Sequence, residues 1–299
     1  MRKVIANTLT KWADESRDFT ILTSDLGYSI FDDFRSAYPD KFFNMGIAEN
    51  NMVGVGAGLA LTGRKVFIYS IATFLAAKCF EQIRDDVCYH NAPVVLIGTG
   101  AGFSYGQAGY THYSNDDLAI LRTIPDITIV SPSDPVELQL LLNEVIDYDS
   151  PVYIRIGKNG EPSFSQKTKV RVGEAYYCHE GERVAIVSHG TIMDEAMKLK
   201  ELLLGDGIDA SVVSSPTIKP IDKPFFKDLK SKHERIIIIE EHYQIGGLGS
   251  ALKEIGIPVD VYGVKDRVFY EGGDQDYLRT LHGIDGQSVY DAMKKEANA

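Results

Sequence analysis

Short runs rich in β-branched and aromatic residues alternate along this chain with stretches of helical periodicity. The runs FTILTSD (19–25), KVFIYS (65–70), PVVLIGTG (93–100), ITIVSP (127–132) and PVYIRIG (151–157) read as strands. Between them, residues 2–16, 47–62, 74–89, 115–123 and 134–147 read as helices. Pro132 and Asp134 suit a helix start, and Pro151 suits the beginning of a strand. Near-continuous apolar strands separated by helices predict an α/β unit with a mostly parallel sheet covered on both faces. A polar stretch at 158–175 interrupts the alternation. It resumes with RVAIVSHG (183–190), a helix over 192–204, DASVVSS (209–215), a helix near 223–231, RIIIIEE (235–241), a helix near 247–255 and VDVYGV (259–264). The pattern predicts two domains, residues 1–165 and 183–299, joined by a linker at 166–182. Each is expected to be a mostly parallel sheet flanked by helices.

The composition narrows the function. The chain has 299 residues, 44% of them apolar, enough for two cores. A formal net charge of −11 argues against a nucleic-acid partner, because phosphate backbones select basic surfaces. It still permits a local basic pocket for a phosphorylated small molecule. Cys79, Cys88 and Cys178 lack metal-ligand spacing and form an odd set, which points to a reduced, cytoplasmic protein. No apolar run approaches the roughly 20 residues that span a bilayer. The first fifteen residues have no apolar signal core.

Two glycine-rich motifs have bland explanations. Gly205-Asp206-Gly207 matches the start of a thiamine-diphosphate motif, but the expected Asn does not follow at the right distance; Asn298 is too far. The triplet sits where a helix should end. Gly246-Gly247-Leu248-Gly249-Ser250 lacks P-loop spacing and reads as a turn into a helix. The more informative stretch is FNMGIAENNMVGVGAGLALTG (43–63). Small residues and aliphatics mark a packed helix, yet Glu49 stands at its front. A carboxylate in an apolar wall is costly without a partner, although the N-terminus of a helix favours negative charge.

Gly46-Ile47-Ala48-Glu49-Asn50-Asn51 resembles the Gly-Ile-Ala-Glu-Gln segment of the transketolase superfamily. Tyr69-Ser70-Ile71-Ala72-Thr73-Phe74-Leu75 resembles a strand end of the same pyrimidine-binding domain. Gly106-Gln107-Ala108-Gly109-Tyr110-Thr111-His112 resembles Gly-x-Asp-Gly-Pro-Thr-His. Pro125-Asp126-Ile127, the run 130–134, and Glu240-Glu241-His242-Tyr243 followed by Gly246–Ser250 extend the resemblance, in order, over essentially the whole chain.

The resemblance implies a thiamine-diphosphate enzyme transferring a two-carbon ketol unit between sugars. The cofactor carries the difficult chemistry and the protein positions it. Glu49 would contact N1′ of the aminopyrimidine, with a pKa raised by burial. Phe74 and Phe80 would wall the ring, and Asp25 would lie near the cofactor. His112 would contact the substrate, while Arg2, Ser29 and Lys158 would grip a sugar phosphate. Lys158 stands where Arg is usual and loses the planar fork. A family His falls near Gly100 and the motif Asp is Ala108, which suggests a modified or otherwise specialised sugar. The resemblance begins at the pyrimidine domain. The chain therefore resembles the C-terminal subunit of a split enzyme. The N-terminal partner would supply the diphosphate site and most ligands to Mg²⁺ or Ca²⁺, in an assembly of two copies of each. A 2-oxo-acid-using thiamine enzyme and a non-catalytic assembly subunit are the alternative readings.

Overall fold

The computed structural model describes residues 1–158, 160–165 and 167–297. Gln166 of the expected linker and Asn298 lie outside the described residues. Twelve strands follow in chain order: β1 (Phe19–Thr23), β2 (Phe42–Asn44), β3 (Lys65–Ile71), β4 (Val94–Thr99), β5 (Thr128–Val130), β6 (Val152–Ile156), β7 (Tyr176–His179), β8 (Val184–Ser188), β9 (Ser211–Ser214), β10 (Thr217–Lys219), β11 (Arg235–Tyr243) and β12 (Asp260–Val264). They form a seven-stranded sheet in the order β10-β5-β6-β4-β3-β1-β2 and a five-stranded sheet in the order β12-β11-β8-β9-β7. All pairings are parallel except those of the edge strands β10 and β7. The central strands are buried along nearly their full length, as strands covered on both faces must be.

Two strands fall where the sequence pattern gave no signal. β7 lies inside the expected linker and closes the second sheet against β9. β10 comes from the second half of the chain, yet it pairs Thr217 with Val130 on the first sheet. Three residues between Pro216 and Pro220 are too few to show a period. One apolar core is accordingly continuous between the domains, running from Leu22, Val53 and Ile68 through Ile218 to Phe226 and Ile238. Trp12, Phe67 and Leu138 pack on the other face of the first sheet, and Leu199, Ile237 and Val289 on that of the second.

A buried polar cluster also joins the domains. Arg155 Nε lies 2.9 Å from Asp117 Oδ2, and Arg155 Nη2 donates to Ser114 O at 2.7 Å and to Glu241 O at 3.0 Å. Among the described residues, no helix is long and apolar enough to cross a membrane.

Candidate active site

Glu49 is the first residue of the helix Glu49–Leu61, which follows β2 in the chain. Ser24, at the end of β1, organises the approach: its hydroxyl donates to Gly46 O at 2.7 Å and accepts from Ala48 N at 3.2 Å. The helix packs closely on the sheet because Gly56 has no side chain; a Cβ there would come within 2.6 Å of Ile68. Glu49 is 3% exposed. The expected helix over 74–89 is broken, with helical turns at Ala72–Ala76 and Phe80–Gln82 and a π-helical segment at Ile83–Cys88. At the break the carbonyl of Lys78 turns to Asn50, whose Nδ2 donates to it at 2.8 Å. The Lys78 ammonium meets Glu49 Oε2 at 2.6 Å.

This pair corrects the expected direction of the Glu49 pKa. Burial does push the carboxyl up, but the hydrogen bond and charge of Lys78, with a backbone amide and the Ser24 hydroxyl, outweigh it. Glu49 is therefore held below the ordinary glutamate range in this subunit.

Phe74 and His112 come together, with ring centroids 5.1 Å apart, edge to face. His112 ends a single helical turn, Tyr110–His112, and its Nδ1 lies 3.0 Å from the Thr111 hydroxyl. Phe80 does not join this pair. It packs against the core, with Arg84 over its ring at 5.8 Å. Asp25, in a left-handed conformation (φ 52°), accepts from the Tyr28 hydroxyl and from Asn44 Nδ2 at 3.3 Å. Those bonds, Tyr28's first, hold its carboxyl below the usual range.

Arg2 and Lys158, 156 positions apart in sequence, line one cavity of about 420 Å³ with Met1, Ile30 and Glu161. Arg2 Nε donates to the Lys158 carbonyl. Ser29 stands beside this cavity, and its neighbour Ile30 reaches it. The Ser29 hydroxyl donates to Tyr28 O at 2.6 Å.

Sequence reasoning missed two residues. Lys78 is one. Tyr105 is the other: its ring lies under the Lys158 ammonium at 4.8 Å and 6.3 Å from the His112 ring, linking the two ends of the site. Tyr105 also explains Gly100, which has φ 87° and whose absent Cβ would overlap the Tyr105 ring. A side chain at position 100 would meet an aromatic ring from five residues further along the same loop. Ala108 is exposed and offers only a methyl group.

The two glycine motifs are structural. Gly205-Asp206-Gly207 closes the helix Met193–Gly205, and Asp206 binds Tyr290 and Lys294. The Gly246–Ser250 turn directs its amides to Glu240, which accepts from Leu248 N at 2.7 Å and Gly249 N at 3.2 Å. Among the described residues, no group of three or more His, Cys, Asp or Glu side chains could hold a metal.

A buried carboxylate at a helix start, a Phe74–His112 ring contact and a cationic cavity are set on two α/β sheets. Family comparison gives the class. Residues 1–161 match the transketolase pyrimidine-binding domain, and residues 173–267 match the transketolase C-terminal domain. The chain belongs to the transketolase family, whose members depend on thiamine diphosphate. It is 33% identical to a putative transketolase C-terminal section of Methanocaldococcus jannaschii, over 99% of this chain and 97% of that protein. It is 32% identical to one of the subunits of an apulose-4-phosphate transketolase from Phocaeicola vulgatus, covering 96% and 94%. The solved structure of a split-gene transketolase, described as an inactive β4 tetramer, superposes with a TM-score of 0.87 at 32% identity, covering 98% and 96%.

Proposed function

We propose that this chain is the C-terminal subunit of a cytoplasmic, thiamine-diphosphate-dependent transketolase-like enzyme. It works with an N-terminal subunit that holds the diphosphate and its Mg²⁺ or Ca²⁺, two copies of each. The observation that carries the reading is Glu49, a carboxylate buried at a helix start in the domain that also holds the Phe74–His112 ring contact. A buried carboxylate and a half-exposed ring fit an aminopyrimidine.

In this reading Glu49 shares a proton with the pyrimidine N1′, Phe74 supports the ring, and Phe80 backs that wall from the core. Asp25 lies at the cofactor's edge. Bound there, the thiazolium supplies the carbon nucleophile for cleaving and forming the ketose carbon–carbon bond. His112 binds a hydroxyl or carbonyl of the substrate near that centre. Arg2 and Lys158, assisted by Ser29, bind the substrate's far, anionic end. Tyr105 narrows the passage between them, which favours a modified sugar over ordinary pentose phosphates.

The test is reconstitution with the N-terminal subunit and assay of ketol transfer. Glu49→Gln should reduce turnover by about 10²–10⁴-fold while circular dichroism stays unchanged. Near-normal turnover in that variant would refute the assignment. Pyruvate decarboxylation by the pair in place of ketol transfer would favour a 2-oxo-acid enzyme. Failure of the pair to bind thiamine diphosphate would favour an assembly subunit.

A further inference from the structure

The break in the segment after β3 has a chemical consequence. It delivers Lys78 onto the one carboxylate the cofactor needs. The Glu49 side chain is 4% exposed and the Lys78 side chain 49% exposed, with 2.6 Å between the charged atoms. The lysine thus spans from solvent to the buried carboxylate and covers it.

We propose that Lys78 is a latch on Glu49. In the subunit without cofactor, its ammonium takes the place on the carboxylate that the pyrimidine nitrogen takes in the loaded enzyme, and loading swings the lysine out into solvent. The inference rests on the reading of Glu49 as the pyrimidine partner.

Three arguments support it. A buried carboxylate left without a partner is costly, so the cofactor-free subunit needs a temporary one. A half-exposed lysine is suited to that task, because it regains water on leaving while the pyrimidine nitrogen takes over the carboxylate. The backbone need not move with it, since Asn50 holds the Lys78 carbonyl and also reaches Gln82 Oε1 at 2.7 Å. A permanent pair, by contrast, would keep Glu49 ionised and obstruct proton sharing with the ring. The other groups facing Glu49 cannot replace the lysine. Ser24 offers only a hydroxyl. The Cys79 thiol, pushed up to about 12 by burial and then by the Glu49 charge, stays neutral.

The test is a direct measurement of thiamine-diphosphate affinity in the reconstituted complex, by calorimetry. The proteins are wild type, Lys78→Met, Lys78→Arg, Glu49→Gln and the Glu49→Gln/Lys78→Met double variant. Lys78→Met should lower the Kd by about three- to tenfold, and Lys78→Arg should stay near wild type. The gain should vanish in the Glu49→Gln background. An unchanged or raised Kd for Lys78→Met overturns the latch. In the cofactor-free subunit, carbon-13 NMR of the Glu49 carboxyl should show its pKa rising in Lys78→Met; no rise also overturns it. The two failures are distinguishable. If Glu49→Gln keeps full activity, the reading of the site falls and the latch with it. If Glu49→Gln is inactive while Lys78→Met binds cofactor no better, only the latch falls.

Discussion

Removing the Arg155 guanidinium tests how the domains are held together and how the loop at Ser114 is fixed. Arg155 is 2% exposed and Asp117 fully buried. In Arg155→Met, Asp117 keeps one side-chain donor, the Tyr153 hydroxyl at 2.7 Å. It loses the Nε contacts at 2.9 and 3.1 Å. The carbonyls of Ser114 and Glu241, one from each domain, also lose their donor. Breaking a buried pair from one side costs about 3–5 kcal/mol. At about 2–4 °C per kcal/mol for a chain of this size, the melting temperature should fall by roughly 6–20 °C. Trp12, the only tryptophan, is buried against Phe67 and reports on the first domain, while far-UV circular dichroism reports on both. Urea unfolding followed by both probes is therefore the assay, with coincidence of the two transitions checked in each variant. Arg155→Lys should fall between, keeping the charge but losing the fork. The Asp117→Asn/Arg155→Met double variant should recover part of the loss, giving a coupling energy of about 1–3 kcal/mol. An Arg155→Met protein within about 1 kcal/mol of wild type would show that the cluster contributes only packing.

Other outcomes follow from the site. Tyr105→Ala opens the space over Gly100 and removes the ring beneath Lys158, so the relative kcat/KM for two acceptor sugars of different size should change by about tenfold or more; an unchanged ratio would remove Tyr105 from the site. Gly100→Ala meets both the Tyr105 ring and a positive φ, and should cost about 1–3 kcal/mol in urea unfolding. Phe74→Ala should raise the Kd for thiamine diphosphate in the reconstituted complex, because it loses a ring surface worth about 1 kcal/mol or more; titration of the cofactor checks this. The Glu49 carboxyl is depressed in the folded subunit, so its pairing with Lys78 stabilises the fold above the unfolded value near about pH 4.3. That contribution is lost as pH falls through the lower, folded value. Stability measured from pH 6 down to pH 3 should therefore drop more steeply in wild type than in Lys78→Met.

The layers of this fold were legible because burial on both faces imprints itself on strands such as 93–100 and 235–241 as unbroken apolar runs. What escaped were elements whose stability comes from neighbours. β10 has three residues and exists because β5 offers an unpaired edge. β7 is half-buried at every position, so no alternation marks it, and it was absorbed into the expected linker. The site divides along the same line. Glu49 stood out because a carboxylate conflicts with the helix behind it, and that conflict is local. Lys78 could not be found this way. A lysine in a helical stretch is ordinary until the helix breaks at that point and directs it inward. Tyr105 was hidden for a similar reason: the sequence shows Gly100 as a lost histidine, while the ring that fills its place comes from five residues further on. Motif matching registers deletions at aligned positions and misses replacements that arrive from elsewhere. The conflict at Glu49, set by one residue in one place, was therefore visible in the sequence. Arg2 and Lys158 were named from the resemblance, but that they share one cavity, with the Tyr105 ring under the Lys158 ammonium, becomes readable only once the chain is folded.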